Sequence, residues 1–182
     1  MQGVVFTELF EFVEDRRSPL FLQEVVDAAD LATGGVYCAA GVYDDDDFGR
    51  FVSAYCRETG DETSVLYPTF GTFMARRFFD AHPEFLNTAG TAFDFLARVE
   101  TDVRPAAAQL YPEGDIPDFC LIDATPKSVR FVVKCAPGLE DFCQGVLAGV
   151  LAAFEETAEV ARRSIASKPV SIIEFTVERA SA

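Results

Sequence analysis

Side chains able to do chemistry are few in this chain, and most stand in settings that argue against catalysis. There is one histidine, His82. RRFFDAHPEFL places it beside a proline at the end of a helix, where it reads as a surface cap. A lone histidine in that setting gives no support to a Cys/His or Ser/His dyad. The five cysteines, Cys38, Cys56, Cys120, Cys135 and Cys143, are an odd number with no C-x-x-C pair. They do not read as a disulfide framework, and a reducing cytoplasm suits them. Asp44–Asp47 offers four adjacent carboxylates of the kind that hold calcium or magnesium. The alternate acids, central glycine and later glutamate of an EF-hand are missing. Acids just ahead of Phe48, Phe51, Val52 and Tyr55, which share a helical face, read instead as a cap opposing the helix dipole. The pairs Asp61/Glu62 and Glu155/Glu156 read as surface charge. No nucleophile elbow, P-loop, H-E-x-x-H or Rossmann glycine pattern occurs. No catalysis is expected.

The elements that must position these residues are supplied by one domain's worth of chain, 182 residues with 49% hydrophobic side chains. The charge is 15 − 30 = −15 and the pI is near 4.3. Such a field repels nucleic-acid phosphates and anionic lipid heads, so neither is an expected partner. MQGVVFTELFEFVEDRR has acids by its tenth residue and reads as neither a secretory signal nor a transit peptide. No apolar run approaches the ~20 residues that cross a bilayer. A cytoplasmic protein is expected.

Apolar residues from Val4 to Val13 follow helical spacing, and Ser18-Pro19 reads as a cap opening a second helix with Leu22, Val25 and Ala29. Further helices are expected from Ser64 to about Asp80 and from Thr91 to about Leu110. Pro105 should kink or split the latter. FCLIDA, SVRFVVKC and VSIIEFTVERA then read as strands, with another at Glu159–Ile165. A helix from Gly138 to about Phe154 carries Leu139, Phe142, Cys143, Val146, Leu147 and Val150 on its apolar face. Helices first and an antiparallel sheet later make an α+β domain spanning residues 1–182. Its helical N-terminal part covers about 1–60. The remaining helices and the sheet, on which that part is expected to pack, cover about 61–182.

In this order the strings resemble a known family. MQGVVFTELFEFVE resembles the M-x-G-hydrophobic-hydrophobic first helix of haem-nitric-oxide/oxygen-binding (H-NOX, HNOB) sensor domains. GGVYCAAGVYDDDDF resembles their G-x-Y and Y-x-D segments, and TFGTFMARRFF their F-G helix. DFLARVETDVRPAAAQLYPEGDIPDF resembles their block with histidine-proline, L-Y-P and P-x-F. The resemblance, that of a divergent bacterial member, implies a pocket between the helical part and the sheet-bearing part. In the family that pocket holds haem b through one histidine and binds its propionates through Tyr-x-Ser-x-Arg. The domain reports gas binding to a histidine kinase or cyclic-nucleotide enzyme.

Carried onto this chain, the ligand histidine lies seven residues before Tyr111, at Arg104. A guanidinium stays protonated and has no free lone pair, so it cannot ligate iron. With Leu139 as anchor, the propionate-binding positions fall on Val133, Cys135 and Pro137, which cannot do the family's work. The helix matching Gly138–Phe154 has no tyrosine, so stable dioxygen binding is not expected. No cofactor is expected, the alternative being haem held by His82 or by the thiolate of Cys135 or Cys143.

A vacated cofactor pocket is costly. The first expectation is filling by side chains, with Phe73, Phe93, Phe95, Phe131 and Phe142 as candidates beside Lys134 and Cys143. The alternative is an apolar carboxylate paired with Arg104 or Lys134. Without such a ligand, Arg104 is expected to reach Asp102, Glu100 or solvent. The expected function is a haem-free sensor or interaction module acting in trans on a signalling enzyme. The runner-up is a ligand sensor.

Overall fold

Helices come first in the chain and the sheet last, as the expected α+β order requires. The computed structural model describes residues 1–105 and 118–180. The described residues fall into two compact units, residues 1–66 and residues 67–105 with 118–180.

The first unit is built on α1 (Gly3–Arg16), α2 (Pro19–Ala29) and α3 (Asp45–Thr59). On α1 the buried residues Phe6, Leu9, Phe12 and Val13 recur at helical spacing. Phe6 stacks on Tyr37 with ring centroids 4.1 Å apart, and Phe48 and Tyr43 meet its edge. Gly3, the glycine of the opening motif, is required by close approach: a Cβ there would lie 1.9 Å from the Cys38 carbonyl oxygen. Its N–H donates to Gly41 at 2.7 Å. Ser18 caps α2 by accepting from the Phe21 N–H, and Asp44 caps α3 by accepting from the Asp46 N–H.

Asp47 departs from the capping role expected of all four acids. It is 1% exposed, one turn before the buried Phe51, and it gathers three donors. The Ala32 N–H reaches it at 3.3 Å, the Tyr37 hydroxyl at 3.1 Å and the Arg50 guanidinium at 2.5 Å. Burial pushes its carboxyl up, but the hydrogen bonds from Ala32, Arg50 and Tyr37 outweigh this and hold its pKa below the ordinary aspartate value.

The second unit contains most of α4 (Thr63–Ala81), then α5 (Pro83–Ala89), α6 (Ala92–Ala97) and a π-helical turn at Val99–Val103. After these come β1 (Asp118–Thr125), β2 (Ser128–Cys135), α7 (Glu140–Ala153), β3 (Ala158–Ala166) and β4 (Ser171–Arg179). The four strands pair antiparallel in the order β1-β2-β4-β3, with Phe131 directly opposite Phe175. Val129, Phe131, Val133 and Cys135 of β2 are buried, as are Ser171, Ile173, Phe175 and Val177 of β4. These two rows make the sheet's core face. The edge strands each carry a bulge, β1 between Leu121 and Asp123 and β3 between Ser164 and Ala166.

Helices α4 and α7 approach to backbone distance. A Cβ on Gly71 would lie 2.3 Å from the Phe142 carbonyl oxygen, and one on Gly145 would lie 2.1 Å from that of Pro68. The Thr72 hydroxyl crosses the gap to the Gly145 carbonyl at 3.1 Å.

Two expectations need correction. The short helix α5 lies where none was expected, started by Pro83 and ended by Gly90 at φ 74°. The segment from Thr91, expected to be kinked or split by Pro105, is already interrupted at Arg98. A proline ring crowds the carbonyl four residues earlier, here Thr101, and the wide turn Val99–Val103 contains that carbonyl. The remainder of that segment lies outside the described residues.

Asp47→Ala should lower stability by about 1 kcal/mol, because it removes the buried carboxylate that ties three partly buried donors together. A depressed folded-state pKa contributes stability that is present above the unfolded value, about pH 4, and lost as the pH falls through the folded value. The wild type's advantage in urea unfolding should therefore shrink below that pH and hold at neutral pH. Gly145→Val should cost about 3 kcal/mol, because the Pro68 backbone cannot retreat without moving α4. An unchanged urea midpoint would refute the close crossing.

Candidate functional site

Within the second unit the helices and the sheet enclose a cavity of about 320 Å³. Helix α4 supplies Met74, Ala75, Phe78 and Phe79, one face at i, i+1, i+4 and i+5. Opposite them stand Phe142, Cys143, Val146, Leu147 and Val150 of α7. The sheet contributes Phe119, Phe131, Val133 and Phe175, and Phe95, Leu96, Val99, Val103 and Arg104 complete the wall. The sheet floor is an aromatic row: Phe119 stacks on Phe131 at 4.3 Å, and Phe131 on Phe175 at 5.8 Å. Apart from Arg104, the described wall is carbon with two sulfurs, those of Met74 and Cys143.

Arg104 follows the π-helical turn. Its guanidinium lies 2.6 Å from Asp118 Oδ1, and Lys134 Nζ lies 3.9 Å from the other oxygen of that carboxylate. All three side chains are about half exposed. Such an ion pair is worth at most about 1 kcal/mol, so it positions the cation more than it stabilises the fold. The expected partners of Arg104 are engaged elsewhere. Asp102 pairs with Arg98 at 3.6 Å, and Glu100 accepts from the Leu121 N–H at 3.2 Å. Asp118 reaches Arg104 because the register of β1 and β2 sets it opposite Lys134.

Of the residues proposed to line the pocket, the structure brings together Phe95, Phe131, Phe142 and Cys143. Phe73, Phe93 and Lys134 are off the wall. Phe73 precedes the cavity face of α4, and Arg76 lies over its ring at 5.4 Å. Phe93 is 2% exposed in the core, beneath the Arg179 guanidinium at 4.7 Å. Lys134 points away because strand side chains alternate, and Val133 and Cys135 on either side face inward. Of the propionate-binding positions, Val133 lines the cavity, Cys135 is buried beside Cys143, and Pro137 is exposed in the following loop. His82 precedes α5, with Nδ1 3.2 Å from a Glu84 carboxylate oxygen. Its ring packs on Phe78 at 5.2 Å, and Phe78 rather than His82 is on the wall.

Among the described residues the side chains expected to fill the pocket leave a cavity between them. The α4 residues and Phe175 were missed although their signals exist, helical spacing for Met74 with Phe78 and cross-strand pairing for Phe175. Asp118 had no local signal, because its role depends on the strand register.

The fold is that of solved H-NOX proteins. The A71G variant of a K. algicida H-NOX protein, in the Fe(II) unliganded state, superimposes with a TM-score of 0.88. It is 22% identical, with 100% of this chain and 97% of that one covered. The IWP-051-bound H-NOX from Shewanella woodyi gives 0.82 at 24% identity, covering 99% and 95%. An S. oneidensis H-NOX protein in the Fe(II)NO state gives 0.85 at 14% identity, covering 100% of both. The model of the haem-NO-binding family, HNOB, matches residues 2–162, and the chain belongs to that family. No curated protein matches the sequence significantly. Among the described residues no helix is long and apolar enough to cross a membrane.

Proposed function

We propose that this chain is a sensor domain that does not take haem through histidine and instead holds an apolar molecule with an anionic end. The observation that carries this reading is Arg104, a permanent cation at the wall of an otherwise apolar cavity. The resemblance puts the iron ligand at that position.

Haem b is the group the family implies, and the donors present do not fit it. The described wall offers no imidazole, and the guanidinium has no lone pair to give. Of the two sulfurs, the Cys143 thiol is pushed far up by its hydrogen bond with Cys135 and by burial, so it stands as S–H rather than thiolate. Met74 is left as the one unencumbered donor, and a thioether alone is a poor substitute for the histidine that usually accompanies it. Val133 has no polar group to hold a propionate.

An apolar carboxylate fits better. A cavity of this size lies within the range of small-molecule sites, roughly 300–1,000 Å³. The charged end would take Arg104 from Asp118, and Lys134 would remain beside Asp118 to balance it. A wall of carbon and sulfur with one guanidinium suits holding a molecule more than transforming it. The proposed output, in keeping with the resemblance, is regulation in trans of a histidine kinase or cyclic-nucleotide enzyme by a single domain spanning the chain.

Calorimetric titration with decanoate and decanol tests the reading. Decanoate should bind more tightly than decanol, and Arg104→Gln should weaken decanoate about tenfold or more, the worth of one charge-assisted hydrogen bond. Equal affinity for both probes, or none, would overturn it. Titration with haem should leave the Soret band of free haem unchanged, and a coordinated haem spectrum would sink the haem-independent part.

A further inference from the structure

The three phenylalanines of the cavity floor, Phe119, Phe131 and Phe175, stand side by side on the adjacent strands β1, β2 and β4. The Phe119 and Phe131 rings are 26° from parallel with centroids 4.3 Å apart, and those of Phe131 and Phe175 are 29° from parallel at 5.8 Å. Carbon atoms pack no closer than about 3.5 Å, so near-parallel rings at the first of these distances must turn their faces to each other. The row runs across the strands, in the plane of the sheet. Ring faces are therefore covered by neighbouring rings, and ring edges point off the sheet toward the cavity. Phe131 and Phe175 line that cavity and are yet only 1% and 0% exposed, as rings showing an edge would be.

We propose that the cavity takes a planar aromatic acid, its ring system lying flat over the edges of Phe119, Phe131 and Phe175. The pairing of an anionic end with Arg104 comes from the proposed function, on which this inference rests. What is added is the nature of the apolar part.

Charge distribution makes the choice. An aromatic ring is negative on its face and positive at its edge, so a floor of edges attracts a π-face. An alkyl chain would fill the same space through apolar contact alone. The helices opposite add the sulfurs of Met74 and Cys143, and sulfur packs favourably against rings. The row spans three strands, two spacings of about 4.8 Å each, which gives two fused rings a floor along their length. Asp118, which holds Arg104, immediately precedes Phe119 on β1. The carboxylate therefore sits at the Phe119 end of the row, and the far ring reaches toward Phe175.

Naphthalene-2-carboxylate and its saturated analogue, decahydronaphthalene-2-carboxylate, provide the test. They share a carbon skeleton and a charge, and apolar area alone would favour the saturated acid. In calorimetric titration of the protein, the aromatic acid should bind about fivefold tighter or more, the worth of one edge-to-face pair. Excess decanoate should compete it off. Phe119→Leu removes one ring edge and keeps an apolar side chain, so it should weaken the aromatic acid and leave the saturated one within about twofold. Equal affinity for the two bicyclic acids, or a preference for the saturated one, would overturn the inference while leaving the anionic ligand standing. Aromatic binding that decanoate does not displace would do the same. If none of the three acids binds, the proposed function fails and this inference fails with it. The wild-type titrations decide the matter even if Phe119→Leu does not fold.

Discussion

The second unit depends on one close approach, that of α4 to α7 at Gly71 and Gly145. Helices separated by ordinary side chains lie 8–10 Å apart. Here main chain meets main chain, and a threonine hydroxyl bonds across the contact. Main-chain contact leaves no side chain free to shift, so the angle between the helices is fixed there. The approach continues at Gly149, where a Cβ would lie 2.5 Å from that of Ala75, and Phe78, Phe79 and Val150 beside it line the cavity. A tight junction beside bulky residues yields a void that neighbouring side chains cannot fill without breaking the junction. The cavity is thus a consequence of packing, and it persists without an imidazole in the described wall.

The charge distribution around the void follows the same economy. Arg104 leaves the π-helical turn at the cavity wall, where an unpaired guanidinium against apolar surface would be costly. Asp118 offsets that cost from outside, and Lys134 shares the carboxylate. Because all three groups keep contact with water, the arrangement is loose enough for another anion to compete. In the first unit Asp47 shows the opposite case, a carboxylate taken out of water and matched by three donors, which fixes a loop instead of exchanging partners.

Much of the fold was legible because periodicity is a local signal. The faces of α1 and α7, the Ser18-Pro19 cap and all four strands follow from spacing within a few residues. The break at Arg98 was not legible, since it arises from the helix relieving Pro105 in advance. Asp47 was misread in a run of four aspartates, though its four-residue offset from Phe51 marks it as inward-facing. Lys134 was misplaced against the strand's own alternation, which sends it outward between Val133 and Cys135. Of the site, Phe95, Phe131, Phe142 and Cys143 were accessible to sequence reasoning. Asp118 was not, because only the pairing of β1 with β2 brings it to Arg104.

The bulges of β1 and β3 have a meaning beyond the site. The residue each one displaces is an isoleucine, Ile122 on one border and Ile165 on the other, and both are about half exposed. An unbroken outer strand is a template on which another polypeptide can add itself, rung by rung. Here the ladder is interrupted on both flanks, and the greasy side chain at each gap stands isolated. The sheet is thereby protected from growing into a neighbour by strand addition.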